Sequence, residues 1–182
     1  RTSIDRKCAL GEHVLLMAPK KYAVDFTAWG QPFKLEEAVI CKDWVSEAVE
    51  HARRVGVKGI LFVANISKAL QLTGGLISLG ADEMDIRMQA LIAHGALHGI
   101  SSETARALSR CINTEEGLEL LREAGLLELT MTSVMDTLKK RFDEKSGENM
   151  RAEILVYSAQ YGILGQTEGF QWLFDKMRQP AS

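Results

Sequence analysis

Proline is scarce in this chain, with three in 182 residues, so a proline-rich linker or recognition segment is excluded. Cysteine is equally sparse. Cys8, Cys41 and Cys111 are far apart and form no CxxC pair. That argues against an iron–sulfur or structural zinc cluster and fits a reducing, cytoplasmic setting. No apolar run is long enough to span a bilayer, and the leading residues do not resemble a secretory signal. Neither charge sign dominates: 22 Lys and Arg stand against 24 Asp and Glu, for a formal net charge of -2. Strong nonspecific nucleic-acid binding is therefore not expected. The short basic spots at 20–21, 53–54 and 139–141 read as solvated faces or helix ends. GxGxxG, GxxxxGK[ST] and HEXXH are all missing, which removes the usual warrants for NAD, phosphate-loop and zinc-protease chemistry. No internal repeat or nucleophilic triad is evident.

What is present is an alternation of short apolar runs and helical patterns. Residues 14–17 form an apolar strand candidate, ended by Pro19 and two lysines. Residues 22–26 alternate and make a second candidate. Helical spacing is clearest from Asp43 to Arg54. Residues 38–41 read either as the start of that helix or as a short strand, with Asp43 then capping the helix. Gly56 ends it, and residues 60–64 form a continuous apolar strand of the kind covered on both faces. Further helices are expected over 67–72, from Asp82 to about His98, from Ser101, from Thr114, over 127–142, and around 170–177. Residues 145–149 read as a linker. Residues 151–158 are the clearest late strand, and Gly162, Gly165 and Gly169 read as a loop. The expected class is α/β: a small mixed or mostly parallel sheet flanked by helices, with a helix-rich second half. Residues 1–182 are read as a single α/β domain.

The segment 58–99 concentrates the candidate chemistry. Asn65 and Lys68 follow the central strand and can orient a carbonyl and attract an anion at a helix start. Gly74 and Gly75 permit close backbone approach. Asp85 and Arg87 can hydrogen-bond a ligand and pair with a carboxylate. Bland roles compete with each of these: a cap for Asn65, a solvent-facing Lys68, a plain glycine turn, an internal ion pair for Asp85 and Arg87. His94 and His98 share a helix side, but no third metal ligand accompanies them, so no metal site is expected and packing or a pocket-wall hydrogen bond is the better reading.

The order of segments resembles the carboxy-terminal portion of the cobalt-precorrin-5B C1-methyltransferase family, the CbiD family, from roughly Val39 onward. KDWVSEAVEHA is similar to a family segment like SNFVGFALEHA, with Asp43, Trp44 and Ser46 in place of its asparagine, phenylalanine and glycine. FVANISKALQLTGG follows LVGHIGKLVKLAAG at Ile66, Lys68, Leu72 and Gly75, and departs from it at Ala64, Asn65 and Ser67. In LISLGADEMDIR, Asp85 and Arg87 match the late aspartate and arginine of NTHSRVADAR, while Gly80 and Asp82 replace its histidine and first arginine. MQALIAHGALHG, INTEEGLELLREAGL and VYSAQYGILG continue the likeness.

The resemblance implies methyl transfer from S-adenosylmethionine to an anionic cobalt tetrapyrrole, in cobalamin synthesis. It implies Asn65, Lys68, Gly74 and Gly75 on the cofactor side, and Lys68, Asp85 and Arg87 on the substrate side. No residue is assigned as a catalytic acid, base or nucleophile. It also implies a longer parent protein, with an amino-terminal domain or a second copy completing the site. Two other roles compete: a non-catalytic tetrapyrrole- or nucleotide-binding homologue, and a structural domain needing a partner half. The last predicts no pocket at the carboxyl end of strand 60–64.

Overall fold

The computed structural model describes residues 2–76 and 83–179, with the side chains of 83–85 left aside. Five strands make one sheet: β1 Val14–Ala18, β2 Val39–Ile40, β3 Gly59–Asn65, β4 Arg151–Ser158 and β5 Gly162–Gln166. Their order is β2-β1-β3-β4-β5. The first four run parallel, and β5 is antiparallel to β4. The helices are α1 Thr2–Ala9, α2 Val45–Arg54, α3 Ile66–Leu72, α4 Glu83–Ala96, α5 Ser102–Leu108, α6 Thr114–Glu123, α7 Leu127–Ser146 and α8 Phe170–Arg178. This is the expected α/β class, with a mostly parallel sheet.

β3 is apolar without alternation because both of its faces are covered. Ile60, Phe62 and Ala64 join a core with residues of α2, α3, α4, α6 and α7. Leu61 and Val63 face the other way, into a smaller core with Phe26, Phe33, Phe170 and Phe174. Phe62 and Phe142 pack ring to ring at 4.7 Å between centroids, seating α7 on the sheet.

Several expectations fail, each for a physical reason. Residues 22–26 do not form a strand. Asp25 Oδ1 accepts the Thr27 N–H at 3.0 Å and opens a 3-10 turn at Phe26–Trp29, closed by Gly30 in the left-handed region. A side-chain cap of this kind competes with strand pairing, and the Phe26 ring then stacks beside Trp29, Phe33 and Tyr157. Residues 38–41 hold the short strand β2 rather than helix, but Asp43 does not cap α2. Trp44 occupies the cap position and makes no side-chain cap hydrogen bond. The glycines at 162 and 165 are not in a loop; they lie in β5. Gly162, at φ 74, tightens the hairpin with β4, and a Cβ at Gly165 would sit 2.5 Å from Met135 Cγ. Small side chains here reflect close packing of α7 on an edge strand, which looks like a loop in sequence alone. The expected linker is shorter than 145–149, since α7 continues to Ser146. The expected cap at Asp82 lies outside the described residues.

Candidate functional site

The strand order creates a switch point. From β1 the chain passes outward to β2; from β3 it passes the other way, to β4. In open parallel sheets, the crevice beyond the carboxyl ends of two such strands is where ligands bind. A cleft of about 480 Å³ occupies that place. Pro19, Lys20 and Tyr22 line it from beyond β1, Ile40, Lys42 and Asp43 from the end of β2 and beyond, Asn65, Ser67, Lys68 and Gln71 from β3 and α3, and Arg87 from α4. The carboxyl end of strand 60–64 therefore opens on a cleft.

Each polar group there is held by identifiable chemistry. Asn65 ends β3 and caps α3: its Oδ1 accepts the Lys68 N–H at 2.9 Å. The Ser67 and Thr114 hydroxyls are 2.8 Å apart, tying α3 to the start of α6. Lys68 Nζ donates to Asp43 Oδ1 at 2.7 Å. The lysine side chain is 12% exposed and the aspartate 59%, so the pair sits at the cleft wall with its anionic member toward water. Lys42 takes φ 51, uncommon for a residue with a side chain. Its N–H is bonded to Pro19 O at 3.0 Å, and the Cys41 N–H to Ala18 O at 3.0 Å. These bonds hold the turn after β2 against the end of β1. Burial pushes the neighbouring Cys41 thiol up to about 12. It stays protonated at neutral pH and is no nucleophile.

Of the residues singled out from sequence, Asn65, Lys68 and Arg87 converge on this cleft. Gly74 and Gly75 do not line it. They follow the far end of α3, roughly 10 Å of helix away from Asn65. Asp85 lies in the first turn of α4, and its side chain is outside the described residues. Lys20, Tyr22, Ile40, Lys42 and Gln71 were not anticipated. The signal available for Lys20 and Lys42 was their position just past two apolar runs, where strand exits gather. Among the described residues, no three His, Cys, Asp or Glu side chains are placed to hold a metal. No described helix is long and apolar enough to cross a membrane.

His94 is away from the cleft and serves packing. Its Nδ1 is 2.7 Å from Ser133 Oγ, joining α4 to α7. Burial first, and nearby His98 second, hold its pKa below the ordinary histidine value. The folded protein thus resists a proton that the unfolded chain accepts. Stability is full above the ordinary histidine range and declines as pH falls through it. His94→Gln, which keeps a polar partner for Ser133, is expected to flatten the decline of the urea midpoint between pH 7 and 5. An unchanged profile would mean that His94 titrates as in water.

Together these features define an open α/β sheet carrying a polar, cation-rich crevice at its switch point. Residues 81–168 match the CbiD C-terminal domain. The chain is thus similar to the carboxy-terminal portion of CbiD proteins. It is 23% identical over 155 residues to the cobalt-precorrin-5B C(1)-methyltransferase of Ruminiclostridium cellulolyticum, covering 85% of this chain and 40% of that protein. The protein of the same name from Photorhabdus laumondii is 25% identical, over 96% of this chain and 47% of its own length. That of Listeria monocytogenes is 22% identical, with 96% and 48% covered. The chain spans about half the length of these curated relatives. No solved structure matches it.

Proposed function

We propose that this chain forms the substrate-holding part of a cobalt-precorrin-5B C1-methyltransferase. The observation that carries the reading is the cleft at the switch point, where the lining among the described residues has four cationic side chains (Lys20, Lys42, Lys68 and Arg87) and one acidic one, Asp43. An excess of cations suits a ligand with several carboxylates, as a corrin intermediate has. S-adenosylmethionine, when bound, supplies a methyl group already activated on a sulfonium. The protein's share is then alignment of the ring carbon with that methyl, which needs no covalent nucleophile.

The four residues that the resemblance puts on the cofactor side do not form one cradle. Asn65 Oδ1 is committed to its cap and Lys68 to Asp43, and the two glycines stand at the other end of α3. The methyl donor also has a net positive charge, which a cationic cleft repels. We therefore assign the cleft to the tetrapyrrole and route no step through the donor. The amino-terminal half found in the longer relatives, or a second copy, is the proposed source of donor contacts. A non-catalytic binding homologue is the second reading. It is favoured by the replacement of GHIG by Ala64–Asn65–Ile66–Ser67, where the polar residues now make a cap and an interhelix bond.

Calorimetry with S-adenosylhomocysteine and with a cobalt corrin polycarboxylate tests both. Corrin binding is expected, and Lys68→Glu should weaken it about tenfold or more by reversing a charge at the cleft wall. Corrin binding without any methyl transfer, after the amino-terminal half of a relative is added, would favour the second reading. Failure to bind corrin would sink the first reading, and failure to bind either ligand would sink both.

A further inference from the structure

Adjoining the cleft is a second cavity of about 320 Å³, lined by the turn that follows β2. Its wall is mostly apolar, with Ile4, Val39, Cys41 and Trp44 contributing beside polar Ser3 and acidic Glu47, and it shares Ile40 and Lys42 with the cleft. Trp44 is 63% exposed, although the buried apolar surface of α2 begins at the very next residue, Val45. Its indole does not cap α2, nor is it among the residues packed into either core. Asp43 and Trp44 are adjacent. The first belongs to the cationic cleft, through Lys68, and the second to the apolar cavity. Lys42 thus lines both a charged compartment and a mostly apolar one.

We propose that these two cavities are one bipartite site, in which Trp44 is the stacking platform for the conjugated face of a polycarboxylate macrocycle. The inference rests on the substrate reading above and extends it to a specificity-determining residue. Two features favour that occupant. The two cavities share lining residues, so one large flat ligand can span both. A tetrapyrrole also combines a flat apolar face with peripheral carboxylates, and the lining is divided in the same way. An indole stacks on a conjugated ring through dispersion and quadrupole contacts, and the adjoining cations pair with the carboxylates. The methyl donor, being cationic, fits the second half of this arrangement poorly.

The test measures binding of cobyrinic acid, a cobalt corrin with free carboxylates, and of S-adenosylhomocysteine to the chain and two variants. Trp44→Ala is expected to weaken corrin binding about tenfold, Trp44→Phe to restore it to within about threefold, and S-adenosylhomocysteine affinity to be unaffected by either. Melting temperature should not move, since the indole is mostly in water. Unchanged corrin affinity in Trp44→Ala would overturn the stacking role and leave the cationic-cleft reading standing. No corrin binding by the unmodified chain would overturn both. A change in oligomeric state on Trp44→Ala, with corrin affinity unchanged, would make Trp44 a contact between copies and would likewise overturn the inference.

Discussion

Phe142→Ala is expected to lower folding stability by about 3–5 kcal/mol. Phe142 is fully buried, and its ring meets that of Phe62, equally buried, at 4.7 Å between centroids. Phe62 belongs to the central strand and Phe142 to the long helix α7, so the pair joins the covering layer to the sheet. Truncation removes a large apolar surface and leaves a hole whose walls, β3 and α7, are regular elements that collapse poorly. Guanidinium unfolding would record a lower midpoint with an unchanged slope. Phe142→Leu should recover more than half of the loss. A loss below about 1 kcal/mol for Phe142→Ala would mean that α7 is not seated on β3 as described, because full burial against a rigid sheet does not permit so small a value.

Arg151→Ala is expected to cost about 2–3 kcal/mol. That is less than the roughly 3–5 kcal/mol of a fully buried pair, because the arginine side chain is 49% exposed and partly screened by water. Glu153 is the reason for a loss of this size. It points from β4 into the smaller core's side of the sheet and is 1% exposed. Arg151 Nε donates to its Oε1 at 2.6 Å, while Oε2 has no hydrogen-bond partner among the described residues. Without the guanidinium, neither oxygen is paired and the carboxylate stays buried. The guanidinium also lies over the Trp172 ring, 4.7 Å from its centroid, and that contact is lost as well. Gly169 closes the arrangement: a Cβ there would run into Arg151 Nη2 and Glu153 Oε1. The double variant Arg151→Leu with Glu153→Leu should regain most of the stability, since apolar replacement of a buried pair is often neutral or better. If Arg151→Ala melts like the unmodified protein, Glu153 is reached by water and the burial described for it is wrong.

Much of the fold is legible along the chain, and the reason is burial. Residues 60–64 carry no polar residue because the strand is covered on both faces, and residues 151–158 coincide with β4. Asn65 followed by a helical pattern marks the start of α3 because a cap satisfies its backbone donor locally. Asn113 takes the same role for α6, one residue before the threonine expected to open it. Where long-range contacts compete with local pattern, sequence reasoning fails. Alternation over 22–26 suggests a strand, but Asp25 turns the chain and the rings that follow pack with Tyr157 on β4. Glycines at 162 and 165 suggest a loop, but β4 pairs with them and Met135 fills the space above. Asp43 is placed to cap α2, and instead finds Lys68, 25 residues away.

The candidate site divides in the same manner. Its chemistry at β3 and α4 is written in Asn65, Lys68 and Arg87, whose types announce themselves. Lys20, Tyr22 and Lys42 reach the same cleft from two other connections, and nothing in their local spacing relates them. By itself, the sequence determines the α/β class, the central strand, the start of α3 and the resemblance to CbiD, because apolar periodicity, caps and ordered motifs are short-range properties of the chain. Only the tertiary structure decides which strands are neighbours. It is that order, β2-β1-β3, which gathers charges from three strand exits into one cleft, because pairing and charge convergence depend on distances that no local pattern encodes.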